Sequence, residues 1–430
     1  MEISQQTQEF IRSHRTENVQ DLALHAKRAP NLDLPWALDQ IAGWQTARTK
    51  LPQWANTDGI IYPPHLSMEQ CSSQPTARYK AELASRLLQS ADSPMESSPS
   101  RLIDLTGGFG VDFSAMAHDF SQAVYVERQP NLCDIARHNF NLLGLRDAQV
   151  VNADAESFLL TADHADIIFI DPARRDQHGG RTIAISDCTP DVLSMLELLT
   201  AKATYVLVKL SPMLDWHKAV NDCRGTVQEV HVVAVANECK ELLLVLHGQP
   251  AASRAEDIPV TIYCVNITPH GTEQFTVIED ATGIHTVDTA VEPSCQRTSN
   301  RAVSSVDDAL PFHYLYEPNA AIMKAGCFDA LSSAYDLPQL SANSHLFISN
   351  MLVAQFPGRI FQVNAVMTMG KKDLKRGLCG LTHANITTRN FPMSVNQLRN
   401  KLKLNDGGDT YLFATTDRNA KHIIIRTTRV

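Results

Sequence analysis

The sequence predicts an α/β protein: a doubly wound, mostly parallel sheet in the middle, a helical region in front of it, and small α+β domains behind. Two observations carry this. From Leu102 to about Gly248, short apolar runs ("RLIDL", "QAVYVE", "AQVVNA", "DIIFID", "TYVLVKL", "EVHVVAVA", "ELLLVL") alternate with longer segments at helical spacing, such as "QPNLCDIARHNFNLLG". The last two runs are joined only by "NECK", too short for a helical crossover, so they pair antiparallel and put one reversed strand into the sheet.

Taken in order, residues 1–95 read as helical, with apolar residues recurring at Phe10, Ile11, Val19, Leu22, Trp36, Ile41 and Trp44 and a Pro-rich break at "YPPHL". The tryptophans read as core. The turn-rich stretch "QSADSPMESSPSR" links this region to the sheet domain, residues 96–250. Behind it, residues 251–345 read as a small α+β domain, with a hairpin around Gly271 and a helix over "NAAIMKAGCFDALSSAY". Residues 346–430 form the last domain. It has strands at "HLFISN", "RIFQVNAVMT", "DTYLFATT" and "KHIIIRTTRV", and a helix from Val395 to Leu404 opened by the capping pair Ser394 and Gln397.

Composition narrows the class. No apolar run approaches the length needed to cross a bilayer, and the polar N-terminus lacks a signal-peptide core, so a cytoplasmic protein is expected. Nine cysteines, never spaced as CxxC, read as reduced thiols. The histidines show no HExxH or paired spacing, so no metal is expected. The net charge of −9 hides an asymmetry: from Pro357 onward, 13 Lys and Arg face 4 Asp and Glu. An acidic body with a basic tail points to a polyanionic partner; the alternative is a solvated charged face, as for Lys371, Lys372, Lys375 and Arg376.

The chemistry gathers at the strand ends. "RLIDLTGGFGVD" is a buried strand, a glycine-rich turn and a helix start, so Gly107, Gly108 and Gly110 let the backbone turn and approach a ligand closely. A nicotinamide fingerprint fails, because its third glycine would fall at Phe113. The next strand ends at Glu127, where an acid can take both hydroxyls of a ribose. The third ends near Asp154, and the fourth, "IIFIDPARRD", at Asp171. Four consecutive strand tips therefore line one crevice at the carboxyl edge of the sheet, where open α/β sheets bind ligands. Each acid alone could equally be a loop or helix-cap residue.

This ordered set resembles the class I S-adenosylmethionine-dependent methyltransferases, over Arg101 to about Gly248. The resemblance implies a Rossmann-like seven-stranded sheet with S-adenosyl-L-methionine as cofactor. Asp104, Gly107, Gly108 and Gly110 would cradle its methionine part, Glu127 the ribose and Asp154 the adenine, with Thr106, Asp112 and Ala155 beside them. Upstream, "EQCSSQPTARYKAELASRL" resembles the cofactor-covering turn and helix of nucleic-acid methyltransferases akin to trimethylguanosine synthase. That makes Gln70, Ser72, Thr76, Tyr79 and Lys80 pocket-wall residues, or else members of an ordinary capped helix. As a whole the chain is similar to an uncharacterised bacterial family of methyltransferases with a THUMP-like C-terminal domain, through "YPPHLSMEQCSS", "DLTGGFGVD", "DPARR", "NECKELLLVL" and "TTRNFPMSVNQLRNKLKLNDGGDTYLFATT". THUMP domains are RNA-binding modules, so the resemblance implies RNA.

Amino-methylating relatives have Asp/Asn-Pro-Pro-aromatic after strand four. Here Asp171 and Pro172 are kept, but Ala173 replaces the second proline and Arg174 the ring. Asp171 and Arg174 are therefore the candidate catalytic residues, with Pro172, Arg175 and Lys209 as substrate or pocket wall. Arginine can stack on a base or hold a phosphate, which suits a nucleic acid. No cysteine stands at the exit of strand five, "VLVKLSPMLDW", which argues against thiolate-dependent carbon methylation. The expected function is methyl transfer to RNA. The alternatives are a protein or small-molecule methyltransferase, or an inert methyltransferase fold that binds RNA. Oligomeric state is not legible.

Overall fold

A computed structural model describes residues 4–26, 29–90, 99–174, 185–223, 225–248, 259–287 and 311–430. The chain divides into two units, one of residues 1–230 and 240–258, the other of residues 231–239 and 259–430.

The first unit opens with six helices, α1 (Gln5–His14), α2 (Val19–His25), α3 (Leu34–Lys50), α4 (Pro52–Ala55), α5 (His65–Gln70) and α6 (Gln74–Ser90). Side chains cap the first three: Ser4 accepts from the Thr7 amide, Asn18 from Gln20 and Asp21, and Asp33 from Trp36. Between α4 and α5 the extended "IIY" segment has no ladder of its own, so two buried amides satisfy its backbone. Asn139 accepts from the Ile61 amide at 2.9 Å and donates to its carbonyl at 2.8 Å, and Gln40 does the same for Tyr62 at 2.8 and 2.9 Å. Around this segment Trp54, Ile61, Tyr62 and Met68 pack with Phe109, Val111, Leu132 and Ile135, and Trp36 and Trp44 lean on the same cluster. Of the three expected core tryptophans, Trp54 is buried and Trp36 and Trp44 are partly buried.

The sheet follows: β1 (Arg101–Asp104), β2 (Gln122–Glu127), β3 (Gln149–Asn152), β4 (Ala165–Ile170), β5 (Ala203–Leu210), β6 (Val227–Val235) and β7 (Glu238–His247). Their order is β3-β2-β1-β4-β5-β7-β6. The pairs β2–β3, β1–β2, β1–β4 and β4–β5 are parallel, and β7 runs antiparallel to β5. Helices α7 (Val111–Met116), α8 (Pro130–Leu142), α9 (Ala155–Thr161), α10 (Val192–Lys202) and α11 (Trp216–Asp222) lie in the connections. Ile167, Ile168, Phe169 and Ile170 are all buried, as an apolar run covered on both faces requires. The reversed strand read from "NECK" is present. The strand count differs from seven: residues 231–239, the far end of the β6–β7 hairpin, belong to the second unit, where the ladder goes on from β6 to three more strands, ten in all among the described residues.

Those three are the antiparallel meander β8 (Val260–Thr268), β9 (Gly271–Asp280) and β10 (Gly283–Thr286). A second sheet holds β11 (Tyr314–Pro318), β12 (Phe347–Ser349), β13 (Gly358–Thr368), β14 (Asn385–Arg389), β15 (Thr410–Thr416) and β16 (His422–Arg429), in the order β12-β11-β13-β16-β15-β14. The division between residues 345 and 346 thus falls inside one sheet, since β11 pairs with both β12 and β13. The single helix read over residues 319–335 is two, α12 (Ala320–Ala325) and α13 (Phe328–Tyr335). Gly326 stands between them at φ +76°, where a helix cannot continue. The tail helices are α14 (Lys371–Gly377) and α15 (Val395–Leu402). The second has the expected Ser394–Gln397 capping box but ends two residues early, at a left-handed Lys403. In β11, Glu317 is buried and accepts from both Arg359 and Arg389.

Replacing Asn139 by leucine, similar in volume, orphans the buried N–H and C=O of Ile61. Thermal or urea unfolding of the variant is expected to show a loss of about 2–4 kcal/mol.

Candidate active site at the carboxyl edge of the sheet

The turn after β1 is built by packing as much as by hydrogen bonding. Gly110 is left-handed at φ +85°, and a Cβ there would meet the Phe140 ring at 2.8 Å; at Gly107 a Cβ would meet the Tyr125 ring at 2.1 Å. Tyr125 also donates from its hydroxyl to the Gly108 carbonyl at 2.5 Å. Gly108 is different: it is left-handed at φ +55°, and the nearest atom to a Cβ there would be the Thr106 carbonyl at 3.7 Å, so its face is open. Glu127, at the tip of β2, accepts the Gly108 amide at 3.0 Å through Oε2 and the Gln129 amide at 2.8 Å through Oε1.

Asp104 is 1% exposed and accepts the Thr106 amide at 2.9 Å. Burial pushes its carboxyl well above the ordinary range, and the nearby Asp112, Asp171 and Glu127 add to that rise against the Thr106 bond. The Thr106 hydroxyl in turn accepts the Asp171 amide at 2.7 Å, tying the turn after β1 to the tip of β4.

Beside this turn lies a string of charges. Asp171 holds Lys209 of β5 at 2.6 Å, and Lys209 reaches Asp112 of α7 at 3.4 Å. Asp112 accepts the Ser72 hydroxyl at 2.7 Å and stands 3.2 Å from Lys80 of α6. Lys80, with 0% exposure, donates to both oxygens of Glu241 on β7, at 2.6 and 2.7 Å, and to Ser72 at 3.2 Å. Burial would raise the Asp112 pKa, but Lys80, Lys209 and the Ser72 bond together bring it below the usual carboxylate value. For Lys209, burial opposes the charge, yet Asp171, Asp112 and Glu241 outweigh it and raise the pKa. At Glu241 burial wins over Lys80 and Lys209, and the pKa rises.

The structure therefore brings Asp104, Thr106, Gly107, Gly108, Gly110, Asp112, Glu127, Asp171, Lys209, Ser72 and Lys80 into one hydrogen-bonded and packed region. Other expected residues stand apart from that network. Asp154 is exposed and caps α9, accepting the Ser157 amide at 2.9 Å, which lowers its pKa; Ala155 is buried behind it. Gln70 is exposed at the end of α5, Thr76 is buried with its hydroxyl on the Ser73 carbonyl, and Tyr79 is half-buried. Pro172 is buried. Arg174 lies in a two-residue ladder with Cys188, its side chain not described, and Arg175 lies outside the described residues.

Sequence reasoning missed Glu241. A signal existed on its partner: Lys80 falls on the buried stripe Thr76, Ala77, Leu83, Ala84 and Leu87 of α6, where a lysine needs a counter-charge.

The residues fit a nucleoside-bearing cofactor. The open left-handed face of Gly108 leaves room for close approach, and Glu127 stands at the strand tip beside it. Asp112 Oδ1 is buried and accepts no well-directed hydrogen bond, although Lys80 stands 3.2 Å from it. A positively charged amino group would suit that oxygen.

Residues 314–357 match a family model described as a ferredoxin-like domain, 358–429 one described as THUMP domain-like, and 87–197 one described as conserved hypothetical protein 95. A crystal structure of a candidate methyltransferase from Porphyromonas gingivalis W83 is similar over 99% of this chain and 98% of that one, with 30% identity and a TM-score of 0.78. More distant are a SAM-dependent methyltransferase from Agrobacterium tumefaciens (16% identity, 47% and 61% covered, TM-score 0.30) and a candidate RNA methyltransferase from Pyrococcus horikoshii (16%, 37% and 70%, 0.27). No protein of curated function matches.

The raised carboxyl of Asp104 gives a pH signature. Its protonated form favours the folded state, so its contribution is full below the ordinary value of 3.8 and is lost as pH rises toward the folded-state value. Thermal melts of wild type and Asp104→Asn across the acid-to-neutral range should therefore diverge, with wild type losing ground to the variant as pH increases.

Proposed function

The chain belongs to the methyltransferase family that carries a THUMP-like C-terminal domain, and on that premise we propose that it transfers a methyl group from S-adenosylmethionine to RNA. The observation that carries the first half is the convergence of the Gly108 face, Glu127, Asp112 and Asp171 at the carboxyl edge of a parallel sheet. In this reading the turn at residues 107–110 and Asp112 hold the methionine part, Glu127 the ribose and Asp154 the adenine amino group. Bound there, the cofactor supplies a methyl group activated by a positively charged sulfur.

What remains for the chain is alignment, exclusion of water and care of a proton. Asp171 joins the glycine turn through its amide and a lysine through its carboxylate, and its side chain is 36% exposed, so it can meet an incoming acceptor. The Asp171 carboxylate would take the proton shed by an acceptor nitrogen that has used its own lone pair to accept that methyl. A carboxylate is base enough for this, because a methylated ring or amino nitrogen is acidic.

The RNA half rests on charge. From Pro357 onward the chain carries 13 basic against 4 acidic residues, and α14, which buries none of its residues, carries Lys371, Lys372, Lys375 and Arg376. Such a face supports binding to phosphates.

Two measurements test the reading. Calorimetry with S-adenosylmethionine should show binding to the full chain, and labelled methyl should enter RNA rather than protein from cells lacking the enzyme. Asp171→Asn should cut turnover by about 100-fold with cofactor affinity kept; full turnover in that variant would remove Asp171 from the chemistry. Replacing Lys371, Lys372, Lys375 and Arg376 by alanine should flatten the salt dependence of RNA binding, by about one unit of slope for each phosphate no longer neutralised. An unchanged slope places the RNA elsewhere.

A further inference from the structure

Five charged side chains from five elements alternate in sign without a gap: Glu241 on β7, Lys80 on α6, Asp112 on α7, Lys209 on β5 and Asp171 after β4. One end is sealed, since Lys80 and Glu241 have essentially no contact with solvent; the other end, Asp171, is partly open. A fully buried ion pair is a poor device for stability alone, because desolvating both charges cancels most of their attraction. Here the sealed pair is also not isolated. Lys80 is shared between Glu241 and Asp112, and Asp112 between Lys80 and Lys209, so what Glu241 takes from Lys80 decides how much Asp112 asks of Lys209.

We propose that this string is a positioning device for the acceptor end of the site: Lys209 fixes the orientation of the Asp171 carboxylate, and Glu241, acting through Lys80 and Asp112, fixes Lys209. The proposal rests on reading this edge as a methyl-transfer site. It makes Lys209 and Glu241 positioning residues, touching neither cofactor nor acceptor. It also narrows the acceptor. A carboxylate suits a nitrogen that attacks with its own lone pair and sheds its proton afterwards, whereas a ribose hydroxyl has to give its proton to a stronger base. Asp171 at the open end of the string therefore favours a base nitrogen as the methylated atom.

Lysine acetylation of the full-length protein by acetic anhydride, followed peptide by peptide, reads the string directly and needs no substrate. Lys209 should react at least about tenfold more slowly than the exposed Lys371 and Lys372. Both Asp171→Asn and Glu241→Gln should release it several-fold, although Glu241 does not contact Asp171. An unchanged Lys209 rate in Glu241→Gln overturns the remote anchor. Should that variant fail to fold, Asp171→Asn, altered at the open end, decides alone, and an unchanged rate there overturns the device. In methyl transfer to unfractionated RNA, Lys209→Met should fall by about 100-fold and Lys209→Arg, which keeps the charge, should recover most of that loss, with S-adenosylmethionine affinity kept in both. Loss of affinity and melting temperature together would make Lys209 merely structural. Absence of cofactor binding by the folded wild type would instead defeat the methyltransferase reading and leave the acetylation result standing.

Discussion

A lysine without solvent constrains the rest of the first unit. Lys80 Nζ has three hydrogens to place and meets Glu241, Ser72 and Asp112. Withdrawing Glu241, which takes two of those hydrogens, would leave a buried charge with too few acceptors, at a cost several times that of an ordinary hydrogen bond. Because those partners belong to β7, the turn before α6 and α7, satisfying one ammonium fixes a helix, a reversed strand and the start of α7 against each other. The alternation then continues outward to Lys209 and Asp171, each lysine standing between two acids.

The glycine turn shows a second constraint that works independently. Two of its three glycines are required by aromatic rings, Tyr125 against Gly107 and Phe140 against Gly110, and those rings stack edge-on at 5.3 Å with Phe113 beside them. Packing of this kind costs nothing in polar satisfaction and is rigid. Only Gly108 is left with an open face. The loop is thus preorganised by its own core, so a ligand approaching Gly108 does not have to order it.

These two constraints differ in how they show in the sequence. The strand tips were legible because a run such as "DIIFID" has to be buried on both faces and has to stop where its closing acid stands. The reversed β7 was legible because four residues cannot cross a sheet. The glycines were legible as a turn, but the sequence could not separate a glycine needed by a tyrosine ring from one needed by a ligand, since both require the same missing Cβ. Asp154 shows the same ambiguity resolved in part: its capping of α9 is seen, and its place beside adenine is an inference from order. Glu241 was not legible, because its partner lies 161 residues away and nothing local marks an acid at the head of "ELLLVL" as paired. The second sheet was partly hidden for a related reason. β11 carries Glu317 and ends in Pro318, residues that lower strand propensity, and Arg359 and Arg389 make the buried glutamate tolerable.

The helical region in front of the sheet belongs to the site for the same electrostatic reason. Without α6, the buried carboxylates Asp112 and Glu241 of this string would have lost their shared Lys80 and would both depend on Lys209. Burial would then favour protonating one of them, and the hold on Lys209 would weaken. Ser72 adds a neutral donor to Asp112 from the same segment, while Asn139 and Gln40 pin the extended chain that leads into it. The covering helix is thus a charge-balancing part of the sheet's carboxyl edge, and its packing and the aim of Asp171 are set by one set of contacts.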